Sequence, residues 1–481
     1  MSGSYADPQQ TSARPEPRAR PARPDARRLA LKVLLSLAHG HKFVQERLDE
    51  IFGRIPLSWP DKALLNELVF GVVRHRATLD AVIDTFSKVR SGRIEPAVRD
   101  VLRLGIYQLV MLDRIPESAA VNTSVELAKE VSAGGHGFVN AMLRAVARGI
   151  EAKGLETLSA DRARHGIRAK SGKWCVFRQP ILPPPDRNPA AHLAAALSHP
   201  EWLVKRWVER MGQDRAVRLC EANNRVRPIF LRCNVLRTTR ADLLARLRAA
   251  GTPACEGPHD LSLAMDSRVA VAEIPGFAEG FWQVQDVSSM CVVDMLGVTD
   301  AQRVLDLCAA PGGKASHMAE LMSNRGMVVA MDRSPGRLRL VRENCQRLGL
   351  HNIRLVTADA RHLPLRVDAR FDRVLVDAPC SNTGVLSRRP EARWRLSPEG
   401  LTELATLQRE LLTAGVVALR EGGRAVYSTC SIEPEENEQV VAKVLAEHPE
   451  LELEREERFL PHQSAGDGGY AAVLLKRSHA T

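Results

Sequence analysis

The stretch Arg303–Glu320, RVLDLCAAPGGKASHMAE, decides the fold. Val304, Leu305 and Leu307 have the composition of a strand covered on both faces. From Ala309 to Gly313 the chain carries almost no side-chain bulk, so a ligand can approach the backbone before a helix starts at Ala315. Strand, tight turn and helix in this order suit a nucleotide-like ligand. The turn reads Cys308-Ala309-Ala310-Pro311-Gly312-Gly313-Lys314. It lacks both the dinucleotide G-x-G-x-x-G and the Gly-Lys-Ser/Thr ending of a P-loop, which speaks against a dehydrogenase and a P-loop NTPase.

Downstream, apolar runs alternate with helical patterns: Val304 to Leu307, Met327 to Asp332, Ile353 to Asp359, Phe371 to Asp377 and Arg424 to Thr429. That rhythm predicts a Rossmann-like α/β domain, a mainly parallel sheet with helices on both faces. In such sheets ligands bind at the carboxyl ends of strands, near the switch in strand order. The strand ends here carry Cys308 with its loop, Asp332, Asp359, Asp377 leading to Cys380, and Cys430. Asp332 follows the glycine loop by about twenty residues, where an acid can accept from two ribose hydroxyls. Asp359 is placed to meet an adenine edge. A single strand-end Asp is often only a turn former, but the two beside this loop predict an adenosine-bearing cofactor.

The thiols sit in DAPCSNTG, Asp377 to Gly384, and in YSTCSIEPEENE, Tyr427 to Glu438. A lone strand-end Cys is usually a small buried hydrophobe. Two at the cofactor edge, each followed by Ser, fit that reading poorly. Carbon 5 of cytosine is too unreactive to take a methyl group unaided, and thiolate addition at carbon 6 turns it into an enamine-like nucleophile. The reaction also needs a positioned methyl donor, an acid supporting charge at N3 and a base for the carbon 5 proton. Asp377 is placed for the ring contact. An amino-group methyltransferase is expected to carry Asn/Asp-Pro-Pro-aromatic in that slot, which here reads Asp-Ala-Pro-Cys.

The rest of the chain divides by composition. The 481 residues exceed one ordinary core. Residues 1–26 form a Pro- and Arg-rich stretch expected to be a disordered basic tail. Residues 27–150 show helical periodicity, as in Leu29, Val33, Leu34 and Leu37, and predict an all-α domain, with Gly134, Gly135 and Gly137 as a break. Residues 151–197 hold Pro180, Pro183, Pro184, Pro185 and Pro189 and read as a linker or surface insertion without regular helix or central strand. Residues 198–285 predict a small α+β unit with a strand at Ile229–Cys233, a helix at Ala241–Ala250 and strands near Val269 and Phe281. Residues 286–481 hold the Rossmann-like domain.

No run of about 18 apolar residues occurs, so a cytoplasmic protein without membrane function is expected. Nine cysteines without a C-x-x-C pair argue against a zinc site or a disulfide scaffold. The net charge of +11 suits a polyanionic partner without deciding it.

The stretches YQLVMLDRIPESAAVNTSVELAKE and GFVNAMLRAV resemble the NusB-like RNA-binding domain. SHPEWLVKRW, the ANN at Ala222–Asn224 and WQVQD at Trp282–Asp286 resemble the RNA-recognition-like subdomain that precedes the catalytic domain of RNA cytosine-5 methyltransferases. With CAAPGGK, DAPCSNTG and YSTCS, nearly the whole chain resembles the bacterial 16S ribosomal RNA cytosine-5 methyltransferase family known as RsmB, Sun or Fmu. The resemblance implies S-adenosyl-L-methionine as cofactor, bound by Cys308, Ala309, Ala310, Pro311, Gly312, Gly313, Lys314, Asp332, Asp359 and Asp377. It implies Cys430 as nucleophile, Cys380 as the residue assisting release, no metal, 16S ribosomal RNA as substrate, free or in an assembling subunit, and a monomer. A transfer RNA cytosine-5 methyltransferase and a non-catalytic RNA-binding assembly factor are the alternatives. The intact Cys380, Cys430 and Asp377 argue against the second. Two departures from the family pattern, the proline-rich insertion and GDGGYAAVLLKR at Gly466–Arg477, are expected not to touch the cysteine pair.

Overall fold

The computed structural model describes residues 25–37, 40, 42–266, 271–364 and 370–478. The expected tail lies almost wholly outside the described residues, as does Val269. Seven helices open the chain: α1 (Ala26–Leu37), α2 (Val44–Arg54), α3 (Trp59–Arg74), α4 (Arg76–Phe86), α5 (Pro96–Met111), α6 (Glu117–Val131) and α7 (Gly135–Gly149). Their apolar stripes meet around α5, which is buried from Val101 to Met111. Gly135 and Gly137, read from sequence as a break, form the first turn of α7.

The segment expected to be an unstructured linker is folded. It carries a three-stranded antiparallel sheet, β1 (Ile150–Leu155), β2 (Gly166–Arg168) and β3 (Trp174–Phe177) in the order β1-β3-β2, followed by α8 (Pro189–Leu197). The prolines act as expected on the loop from Pro180 to Pro185, but Pro189 opens α8, where its missing N–H costs nothing. Phe177, Ile181 and Leu182 are buried in the helical core, which therefore extends past residue 150.

Helices α9 (Glu201–Met211) and α10 (Gln213–Asn224) lead into the four-stranded antiparallel sheet β4 (Ile229–Cys233), β5 (Cys255–Glu256), β6 (Ser262–Met265) and β7 (Trp282–Val284), in the order β5-β6-β4-β7. This sheet is backed by α11 (Arg240–Ala249). Leu231 and Cys233 face their own core, so period-two alternation sends Arg232 to the other face.

The last domain contains α12 (Val287–Leu296), β8 (Arg303–Asp306), α13 (Gly313–Leu321), β9 (Met327–Asp332), α14 (Pro335–Leu348), β10 (Ile353–Thr357), β11 (Phe371–Asp377), α15 (Ala392–Arg395), α16 (Pro398–Ala418), β12 (Leu419–Thr429), α17 (Glu438–Glu447), β13 (Leu451–Phe459) and β14 (Gly469–Lys476). The seven-stranded sheet runs β10-β9-β8-β11-β12-β14-β13. β8 to β12 are parallel and β13 and β14 antiparallel, so the sheet is mixed at one edge. Adjacent residues of β8 take opposite faces: Val304 packs with α12 and α13, Leu305 with α16 and α17. Each such buried side chain contributes about 1.5–3 kcal/mol of transfer free energy.

α9 is locked to this domain through Glu433, a fully buried carboxylate. It accepts from Trp207 Nε1 at 2.9 Å, Arg206 Nε at 2.7 Å and Arg210 Nη1 at 3.2 Å. Trp207→Phe removes one buried donor together with the fused pyrrole ring that carries it. Chemical denaturation is expected to show a loss of about 1–2 kcal/mol, and an unchanged midpoint would mean that the two arginines satisfy Glu433 alone.

Candidate active site

The strand order reverses between β8 and β11, and the register there sets the site. Leu375 pairs with Asp306 across β8–β11, and Asp377 with Ser428 across β11–β12, so three carboxyl ends lie level. The turn after β8 is held by Ala309 N–H to the Met331 carbonyl at 2.8 Å and Gly312 N–H to the Ala309 carbonyl at 2.7 Å. Gly312 has φ +101°, and a Cβ there would come within 3.0 Å of the Val341 side chain, so this position requires glycine.

Lys314, in the first turn of α13, reaches Asp377 Oδ2 at 2.6 Å, and Ser428 Oγ donates to Asp377 Oδ1 at 2.8 Å. Burial works against the Lys314 charge, but Asp377 outweighs it and holds the ammonium above its ordinary value. Asp332 is almost fully buried and accepts from Ser334 N–H at 2.9 Å, with Arg337 Nη1 at 3.2 Å. Asp359 stands more open, and its hydrogen bonds with Arg361 bring its carboxyl down to about 2. Burial pushes the Cys308 thiol far up, so it stays a neutral wall of the turn.

Cys380 Sγ and Cys430 Sγ lie 2.7 Å apart. The hydrogen bond with Cys430, and after it burial, holds the Cys380 thiol well above its usual range. The structure thus brings Lys314, Asp377, Cys380 and Cys430 together at the switch point, with Asp332 on the neighbouring strand end and Asp359 one strand further.

Three groups escaped the sequence reading. Asp306 is fully buried at the end of β8 and neither carboxylate oxygen makes a hydrogen bond. Burial, and next to it the charge of Asp377, pushes its carboxyl up to about 8. An orphaned buried acid under the turn fits a cationic ligand. The signal was Asp306 itself, a charge inside an apolar strand.

Arg232 crosses from the four-stranded sheet, fully buried. It donates to the Gly313 carbonyl at 2.8 Å, Ser316 Oγ at 3.2 Å and Glu320 Oε1 at 2.6 Å, and also binds Gln285. It holds the start of α13. Glu436, from the quoted PEENE, accepts from Ser381 N–H at 2.8 Å and Gln408 Nε2 at 2.9 Å on Oε1, and from the Ser381 and Ser431 hydroxyls on Oε2.

The GDGG departure packs on the backbone of the two cysteine loops, closer to the cysteine pair than the sequence suggested. Gly468 N–H donates to the Gly384 carbonyl at 2.8 Å, and a Cβ on Gly469 would lie 2.5 Å from the Thr429 carbonyl and 3.6 Å from the Cys430 Cα. Small residues are needed because β14 runs beside β12 up to its end.

A Rossmann-like sheet with this turn and these strand ends defines the class: a methyltransferase. Residues 293–476 match the family model described as 16S rRNA methyltransferase RsmB/F. Residues 24–148 match the NusB family and 199–272 the ferredoxin-like domain of RsmF/B-like methyltransferases. A Synechocystis protein named "Probable ribosomal RNA small subunit methyltransferase B" is 34% identical over 472 residues, 94% of this chain and 99% of that protein. The ribosomal RNA small subunit methyltransferase B of Yersinia enterocolitica is 35% identical over 439 residues, 88% of this chain and 92% of its own. A solved methyltransferase homologue from Pyrococcus horikoshii, 28% identical, superposes with a TM-score of 0.54 over 62% of this chain and 100% of its own. The chain belongs to the ribosomal RNA small subunit methyltransferase B family, whose methyl donor is of the S-adenosylmethionine type.

Replacing Asp332 with Ala should raise the dissociation constant for S-adenosylmethionine by the equivalent of about 1.5–3 kcal/mol, read by calorimetry. Unchanged affinity would put the ribose contact elsewhere. Asp306 adds a pH dependence. A cationic ligand favours the ionised acid, so below about 8 binding must first expel a proton. Affinity is therefore expected to strengthen as pH rises toward 8 more steeply in the wild type than in Asp306→Asn, and parallel profiles would remove Asp306 from the site.

Proposed function

We propose that this protein transfers a methyl group from S-adenosylmethionine to carbon 5 of a cytosine in 16S ribosomal RNA through a covalent adduct between Cys430 and carbon 6. The observation that carries this reading is the thiol pair, 2.7 Å apart, beside the Lys314–Asp377 ion pair at the switch point.

The cofactor, when bound, supplies an electrophilic methyl group. Lys314, kept charged by Asp377, sets a positive charge beside Cys430. Cys380 retains its proton and can donate it to that sulfur. Cys430 gives up its thiol proton to solvent, the resulting thiolate adds to carbon 6, and the displaced electron pair makes carbon 5 nucleophilic, with Asp377 at the N3 edge of the ring. After methyl transfer the carbon 5 proton passes to solvent water acting as the base. The electrons of that bond expel Cys430 from carbon 6, and Cys380 assists this release. The target base is unstacked to reach the pocket.

Bisulfite mapping of RNA from a deletion strain should show one 16S cytosine losing its methyl mark. Loss from transfer RNA instead would transfer the assignment to that substrate. The cysteines are expected to fail differently. Cys430→Ala should abolish methylation and form no adduct, because carbon 6 stays unattacked. Cys380→Ala should accumulate, with S-adenosylmethionine present, a protein–RNA complex that survives a denaturing gel. A stable complex in the Cys430 variant and none in the Cys380 variant would exchange the two roles.

A further inference from the structure

After Gly384 the chain turns away from its own sheet and packs against the helical domain. Val44 N–H donates to Glu391 Oε1 at 2.7 Å, Arg74 Nη2 to the Ser387 carbonyl at 2.9 Å, and Trp394 Nε1 to the Val73 carbonyl at 2.8 Å. One contact continues inward. The Arg389 guanidinium lies over the Phe43 ring, 4.4 Å from its centroid, and its Nη1 donates to Asn382 Oδ1 at 2.9 Å. The same oxygen accepts from Cys430 Sγ at 3.4 Å, while Asn382 Nδ2 donates to the Cys380 carbonyl at 2.8 Å.

Arginine has donors only, so Arg389 fixes which end of the Asn382 amide faces Cys430: the oxygen. In the resting thiol the proton is thereby directed, and with it the rotamer of Cys430, before that proton leaves and the sulfur attacks. Asn382 sits at φ +64°, a left-handed conformation that Asn and Gly tolerate, so the side chain is presented from a fixed backbone position. The contacts are continuous from a residue of the helical domain to both cysteines.

We propose that Phe43, Arg389 and Asn382 form a positioning relay through which docking of the helical domain orients the Cys430 thiol for attack. The domain then acts on the methyl-transfer step itself as well as on RNA. The inference rests on the reading of Cys430 as the nucleophile. None of the three residues touches the reacting carbon; each acts through the next.

The test is single-turnover methylation of 16S ribosomal RNA by the full chain, with RNA and S-adenosylmethionine dissociation constants measured alongside. Phe43→Leu should slow methyl transfer about threefold and Asn382→Gly, which keeps the left-handed backbone, about tenfold, with both dissociation constants within about twofold of wild type. Phe43→Tyr should restore the wild-type rate, because the ring remains. The Phe43→Leu/Asn382→Gly double variant should be no slower than Asn382→Gly alone, since both break one path. Arg389→Met, at an exposed position where folding is not at stake, should match Phe43→Leu or exceed it. Wild-type rates in these variants, losses that multiply in the double variant, or an effect confined to RNA affinity would each overturn the relay. A wild-type protein that methylated no cytosine would instead overturn the function on which it rests.

Discussion

The site depends on one buried carboxylate that touches neither cysteine. Glu436 takes four hydrogen bonds on its two oxygens, from the amide and hydroxyl of Ser381, the hydroxyl of Ser431 and the amide of Gln408. Ser381 follows Cys380 and Ser431 follows Cys430, so the two thiol loops, fifty residues apart in the chain, share one anchor. Burial pushes the Glu436 carboxyl up, and the four donors oppose that shift. An isolated buried carboxylate would be costly, and four buried donors without it would cost as much again. Acid and donors therefore form as a unit. Asn437 extends it, accepting from Thr429 Oγ1 at 2.6 Å and donating to the Ser431 carbonyl at 3.0 Å.

This arrangement explains why the thiol motifs were readable from sequence and their support was not. Cys380, Cys430, Asp377 and the turn from Cys308 to Lys314 are marked by strand periodicity, because each lies where an apolar run stops. The five parallel strands were legible for the same reason. β13 was not, since its glutamate-rich pattern lacks the apolar run of a doubly covered strand, and the apolar run of β14, Tyr470 to Leu475, stood out only as a departure from the family pattern. Glu436 lies in a PEENE run that reads as a solvated acidic stretch, and only the approach of Ser381 from another strand turns it inward. The segment 151–197 misled for a related reason: its prolines mark where hydrogen-bonded structure pauses, but all of them follow its short strands, the last of which ends at Phe177.

The same limit applies to the segments whose resemblance was specific but whose purpose was opaque. Asn223 and Asn224, from the ANN, give Arg393 a backbone carbonyl at 3.2 Å and Oδ1 at 2.9 Å, and Ser198 adds a carbonyl at 2.8 Å. In WQVQD, Trp282 fills the four-stranded sheet's core and Gln285 binds Arg232. Asp286 accepts from Arg388 at 3.0 Å and from the Asp467 amide at 2.8 Å. Apart from Trp282, each serves a contact between folding units. No periodicity within a single unit reports such a contact.

Arg393 and Arg232 also show how the units are held in one arrangement. Both guanidiniums are fully buried, and a buried charge gives little net stability because desolvation offsets most of its attraction. Its effect is directional. Arg232 has a carboxylate partner in Glu320, whereas Arg393 donates to carbonyl and amide oxygens, including that of Leu386 at 3.3 Å. Burial brings the Arg393 guanidinium down to about 9, still charged at neutral pH, so it tolerates only a geometry in which those oxygens converge. A shift of α10, of the Ser198 turn or of the segment after Cys380 would strand the charge. The Ser198 turn with α10, the four-stranded sheet and the cysteine loops are thereby confined to one relative placement, the one in which Lys314 meets Asp377 and the two thiols lie side by side.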